Sequence, residues 1–164
     1  MNLLHNMKIS NFQFAIFNYL LLFLLSISIA SAQEVDESLF VASLERTTCY
    51  GNCPYYEIKL YSNGLAIYHG KKNVKYLGLH KAMVGGKIVA MIINKAAEIG
   101  YENLGSRYPE KGFGIIDFPM CITTVQTAKG KKTVYNRNDS PQKLVEYQNL
   151  FDELFEDIEW KLMQ

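Results

Sequence analysis

The segment that most restricts this chain is Thr48-Cys49-Tyr50-Gly51-Asn52-Cys53-Pro54-Tyr55-Tyr56. Two cysteines four positions apart can close only a tight loop, and Gly51 and Asn52 between them tolerate the backbone that such a loop needs. Pro54 stiffens the exit. A strand follows, not a helix: Tyr56, Ile58 and Leu60 alternate with Glu57, Lys59 and Tyr61, a period of two. The preceding residues 39–47 alternate as well, with Phe40, Ala42 and Leu44 against Val41, Ser43 and Glu45. The loop therefore joins two extended segments. Of the three single pairings open to Cys49, Cys53 and Cys121, Cys49–Cys53 is favoured. A ring this small stabilises by only roughly 2 kcal/mol in the chain-entropy picture, so its larger effect is to fix the register of the two strands.

Whether those sulfurs are oxidised depends on the compartment. Lys8 is the only charge before Glu34, an apolar run spans Tyr19 to Ala30, and Ala30-Ser31-Ala32 supplies the small residues of a signal-peptidase site. The run is too short for a membrane span, which needs about 20 apolar residues. Residues 1–32 are expected to be a signal peptide and residues 33–164 a single exported domain, periplasmic or extracellular. Paired cysteines in such a compartment are first a disulfide. Removing 32 of 164 residues leaves 132, enough for one real core. Removing Lys8 leaves 16 basic against 16 acidic residues, so no long-range field draws the chain to nucleic acid or to an anionic membrane. No stable membrane insertion is expected after cleavage.

Further along, Asn63-Gly64 is a strong hairpin signal. A two-residue turn there sets Leu60 opposite Ile67 and Lys59 opposite Tyr68. It puts Tyr56, Ile58, Leu60, Leu65 and Ile67 on one core face, with His69 at its end, and leaves His80 on the surface. A less regular strand is expected from Val74 to Val84. Ile88, Ile92, Ala96 and Ile99, widened by Val89 and Ile93, predict a helix over about 87–99 that stops at Gly100. Residues 101–117 form the longest irregular stretch, of a length often functional or mobile. Ile122 to Val125 and Thr133 to Tyr135 form a second hairpin over Lys129-Gly130. Ser140 is expected to cap a last helix, with Pro141 in its first turn and Leu144, Tyr147, Phe151, Leu154 and Ile158 as its stripe. The order β-β-β-β-α-β-β-α predicts an α+β fold, a mostly antiparallel sheet with two helices packed on one face.

The motif Thr48-x-x-Gly51-x-Cys53-Pro54-x-Tyr56, with Cys49 inside it, resembles the signature of an exported bacterial family known as domain of unknown function 6438. Asn63-Gly64, Tyr68, Gly70, Val74, Gly78, Gly100-Tyr101, Leu104, Asp117-x-Pro119, Thr123-Thr124, Lys132, Pro141, Leu144 and Trp160 fit it in order. The likeness runs from about Leu44 to Trp160. Cys121 departs from the pattern. The resemblance implies a single exported domain and brings no activity, cofactor or catalytic residue.

The residues leave three uses for the cysteines. A structural disulfide is favoured. A redox role would need a depressed thiol pKa, commonly from a helix N-terminus or a cation, and here the spacing is Cys-x₃-Cys and a strand follows. A Cys₂His₂ metal set of Cys49, Cys53, His69 and His80 does not match zinc-finger spacings. No Gly-x-Ser-x-Gly elbow, His-Glu-x-x-His helix or phosphate-cradling loop occurs. No catalytic residue, metal or cofactor is therefore assigned. Asp117, beside Pro119, is expected to cap backbone N–H groups, with ligand binding as its sharper alternative. Tyr55, Tyr61 and Tyr68 are expected to lie on the face opposite the core, a candidate strip for an envelope protein or a glycan. The function expected is a non-catalytic exported binding or structural module, with a thiol-based redox sensor or an enzyme using Cys49 and Cys53 as the alternative.

Overall fold

The alternating segments around the cysteine loop become the middle of an eight-stranded sheet. In the computed structural model, residues 35–112 and 117–163 are described. The expected signal peptide, residues 1–32, lies outside them. The strands are β1 (Phe40–Arg46), β2 (Tyr55–Tyr61), β3 (Leu65–Lys72), β4 (Gly78–Met83), β5 (Arg107–Tyr108), β6 (Cys121–Thr127), β7 (Gly130–Asn136) and β8 (Lys161–Leu162). Their spatial order is β5-β7-β6-β1-β2-β3-β4-β8, antiparallel throughout except for β5 beside β7. Helices α1 (Gly86–Glu98) and α2 (Gln142–Phe155) complete an α+β fold. Two short edge strands, β5 and β8, were not expected. β5 falls inside the stretch read as irregular, and β8 follows Trp160, where the chain pairs back onto β4.

The helix-covered face collects Ala42, Leu44, Ile58, Leu60, Ala66, Tyr68, Val125 and Val134, all buried. α1 adds Val89, Ile92 and Ala96, and Gly100 ends it in the left-handed region at φ 64°. Only glycine enters that region without a steric penalty. α2 adds Leu144, Tyr147, Phe151 and Phe155, and among them one polar side chain, Gln148. Burying that amide requires partners. It accepts from Asn136 Nδ2 at 2.8 Å and donates to Thr123 Oγ1 at 3.4 Å, while the Tyr101 hydroxyl donates to the Thr123 carbonyl at 2.8 Å. The N-cap of α2 is Pro141 with no side-chain cap bond, not Ser140. The helix begins one residue later than the capping pattern indicates, with Leu144 N bonded to Pro141 O at 2.9 Å.

The register of β3 differs from the expected one. Leu60 pairs with Ala66, Lys59 with Ile67 and Ile58 with Tyr68. The connection has three residues, Ser62-Asn63-Gly64. Gly64 takes φ 84°, its N–H bonds Tyr61 O at 3.0 Å, and its carbonyl accepts from Val84 N at 2.8 Å. Side chains alternate along a strand, so one residue of shift turns the whole strand over. Ala66, Tyr68 and Gly70 face the helices. Leu65, Ile67 and His69 face the opposite side, with Glu45, Glu57, Lys59 and Lys71. The buried histidine is His80, 7% exposed and opposite Tyr68, not His69.

Gly70 is the tightest point of this face. A Cβ there would run into the Tyr76 carbonyl oxygen and the Tyr68 ring, because residues 73–77 fold directly over it. Gly70→Ala must push that segment away. Overpacking of this kind costs about 2–3 kcal/mol, to be measured by denaturant unfolding. A loss under about 0.5 kcal/mol would show that the segment does not lie on Gly70.

Candidate functional site

Tyr56 leaves the cysteine loop at the start of β2 and points to the helix face, directly opposite Arg46 of β1. α2 lays Asp152 across both. Asp152 Oδ2 lies 2.6 Å from Arg46 Nη2, and its Oδ1 accepts the Tyr56 hydroxyl proton. Asn149 Oδ1 takes a further Arg46 bond at 3.3 Å. Both carboxylate oxygens are thereby occupied, and the three side chains clamp α2 to the centre of the sheet. Burial first, then the bond to Asp152, holds the Tyr56 hydroxyl well above the ordinary tyrosine range. Cys121, opposite Arg46 on β6, is buried. Burial, with Asp152 adding and Arg46 opposing, pushes its thiol up to about 12. Such a thiol is not a nucleophile near neutral pH.

Beside the clamp is a cavity of about 370 Å³. Its floor is Ile58 and Tyr68, and its walls are Tyr56, Tyr76, Phe155 and Trp160. Tyr68 sits at the centre of the rings. Tyr56 stacks on it at 5.6 Å, Trp160 tilts against it at 5.1 Å and Tyr76 meets it edge-on at 6.4 Å. Trp160 also stacks on Phe155 at 6.0 Å, which continues through Phe151 and Tyr147 to Tyr101. Aromatic pairs in these geometries each contribute about 0.5–1.5 kcal/mol beyond the area they bury, so the walls are held rigidly. The rim carries Asp152, Glu153 and Glu156 from the end of α2, and Lys75 from the segment over Gly70. This arrangement sets partly buried ring faces beside negative charge.

Cys49 and Cys53 stand at disulfide distance, their Cα atoms 5.6 Å apart, in the loop that delivers Tyr56. Asn73 Nδ2 donates to Cys53 O at 3.3 Å and ties that loop to the segment carrying Lys75 and Tyr76. Thr47 accepts from Met120 N through Oγ1 at 2.8 Å and fixes the other side of the loop. His69 and His80 face opposite sides of the sheet, so the weighed Cys₂His₂ set does not assemble. Among the described residues no group of His, Cys, Asp and Glu is placed to hold a metal ion, and no helix is long and apolar enough to cross a membrane.

The three candidate tyrosines do not form one strip. Tyr55 alone lies half-buried on the open face, with Lys71 Nζ 4.5 Å from its ring centre. Tyr61 points the same way but is 1% exposed, covered by the turn Glu37–Leu39, with its hydroxyl donating to Glu37 Oε1 at 2.9 Å. Tyr68 is turned to the helix face by the register of β3. Asp117 is exposed and has no hydrogen-bond partner among the described residues. Tyr76, Phe155 and the rim acids are not among the candidate site residues of the sequence, where the acidic C-terminal segment reads as a solvated face. The signal that marks them is an acid-rich helix end, with no base in its last turn, between Phe151 and Trp160.

The model of a family described as Domain of unknown function (DUF6438) matches residues 41–155. No curated protein matches the chain.

Tyr56, Tyr101 and Tyr147 all titrate well above the ordinary value of 10, and Tyr68 at about 12, in each case chiefly through burial. A raised tyrosine pKa favours the neutral form in the folded chain. The corresponding stability is complete below pH 10 and is lost as the unfolded chain, but not the folded one, releases its protons. Denaturation midpoints are therefore flat from about pH 7 to 9 and fall steeply above about 10. A midpoint unchanged at pH 11 would contradict the burial of these hydroxyls.

Proposed function

The chain belongs to the domain of unknown function 6438 family, and since that family brings no activity with it, we propose from the chain's own residues that it is a non-catalytic exported binding module whose ligand site is the aromatic cavity between β2, β3 and the end of α2. The observation that carries this reading is the cavity itself. Five aromatic side chains from four separate stretches of chain converge on one opening of about 370 Å³, a size and character usual for small-ligand sites. Tyr56, Tyr68 and Trp160, three of the residues on which the family resemblance rests, meet there. The cysteine pair fits an oxidising compartment and braces one wall, which supports export and a structural use of the sulfurs. The thiol-based alternative has less support, because the segment after Cys53 is a strand and supplies no helix N-terminus to lower a thiol pKa. The site is the same for a free ligand and for one carried by an envelope protein or a glycan.

Trp160 is the single tryptophan of the chain, so its fluorescence reports on this cavity alone. Titration with a panel of envelope glycans, peptides and small metabolites is expected to give at least one saturable emission change, lost in Tyr76→Ala while that variant still unfolds cooperatively, its melting temperature lower only by the few degrees that its ring contacts are worth. No saturable response across the panel, or one that survives Tyr76→Ala, would contradict the reading.

A further inference from the structure

Resting on that reading of the cavity, we propose that the group it binds is an organic cation of the quaternary alkylammonium class. Three independent observations carry this. The first is the charge at the end of α2. The C-terminus of a helix carries partial negative charge and is normally complemented by basic side chains. Here the last turn holds no base, and Asp152, Glu153, Glu156 and Asp157 crowd the same end. Arg46 neutralises Asp152. Among the described residues Glu153 and Glu156 form no ion pair, and both stand at the cavity rim. Set against the single Lys75 on the same rim, the helix end keeps an excess of negative charge at the opening, and a bound cation balances it.

The second is the nature of the walls. Ring faces attract cations, and Tyr56, Tyr68, Tyr76 and Trp160 surround one opening. The chain itself already places a cation on this surface: Lys75 Nζ lies 4.9 Å from the centre of the Tyr76 ring. A ligand cation would replace or join that ammonium on the same wall.

The third observation selects the type of cation. An ammonium bearing N–H groups loses its water hydrogen bonds on entering and needs acceptors in exchange. Beside the rings the one carboxylate, Asp152, already accepts from Arg46 with one oxygen and from Tyr56 with the other, and the two carboxylates left over, Glu153 and Glu156, stand exposed at the rim. A nitrogen carrying only carbon substituents has no N–H to satisfy. It presents an apolar, positively charged surface that suits ring faces within and carboxylates at the rim. The same chemistry occurs in a free choline-like metabolite and in a phosphocholine lipid headgroup.

The test compares choline with 3,3-dimethylbutan-1-ol, its uncharged isostere, by Trp160 fluorescence on the purified protein, and adds cosedimentation with phosphatidylcholine vesicles against phosphatidylglycerol vesicles. Choline is expected to give a saturable change, with the isostere at least tenfold weaker. Tyr76→Ala is expected to abolish it and Tyr76→Phe to keep it. Glu153→Gln with Glu156→Gln, both exposed and outside the core, is expected to weaken it severalfold. Selective binding of phosphatidylcholine vesicles without free choline supports the same chemistry with the lipid headgroup as its source; free choline without vesicles supports the metabolite. Equal response to choline and its isostere, or choline binding that survives Tyr76→Ala, overturns the inference. If only a neutral glycan shifts Trp160, and Tyr76→Ala removes that shift, the cation inference fails while the binding module stands. If nothing shifts Trp160, both fall.

Discussion

The geometry of three residues, Ser62-Asn63-Gly64, decides what faces what in half of this sheet. With Gly64 in the left-handed region and bonded to Val84 through its carbonyl, β3 enters one residue out of step with a two-residue turn. Tyr68 consequently points under the helices. From there it holds Tyr56, Trp160 and Tyr76 around itself, and its partner His80 is buried with it. A Cβ on residue 64 would also meet the Val84 carbonyl, so position and identity are set together. In the alternative register Tyr68 leaves the cavity floor, and the rings lose their centre.

Two fixtures then turn that register into a rigid site. On one side the Arg46–Asp152–Tyr56 clamp fastens the helix end to the strands that the cysteine loop joins. On the other, the absence of a side chain at Gly70 lets residues 73–77 fold down and bring Tyr76 to the rings. The disulfide-distance pair contributes through position more than through energy. Its loop delivers Tyr56 and anchors Asn73.

The strands and helices were legible because each carries its period locally. Ile58 and Leu60 alternate, Ile92 and Ala96 recur at helical spacing, and Gly100 ends α1 as expected. The register of β3 was not, for two physical reasons. Asn-Gly fits a two-residue turn and equally a three-residue loop with glycine last. And hydrophobicity pointed the wrong way, since Leu65 and Ile67 are more apolar than Ala66, Tyr68 and Gly70. The buried side takes the small residues because other chain lies close above it, a tertiary fact that no local pattern carries. The outward tyrosine strip failed with that register, and Tyr61 failed because a turn from before β1 covers it. The cavity was illegible for a related reason: residues 56–58, 68, 75–76 and 152–160 supply it, and each stretch alone looks like ordinary core or ordinary surface.

The central claim is that Tyr68 points inward and carries the ring cluster. Nuclear Overhauser contacts of the Trp160 indole protons test it most directly, because one tryptophan gives one set of signals. The account predicts strong contacts from Trp160 to the rings of Tyr68 and Phe155, and none to Ile67. Contacts from Trp160 to Ile67, with Tyr68 silent, would contradict it.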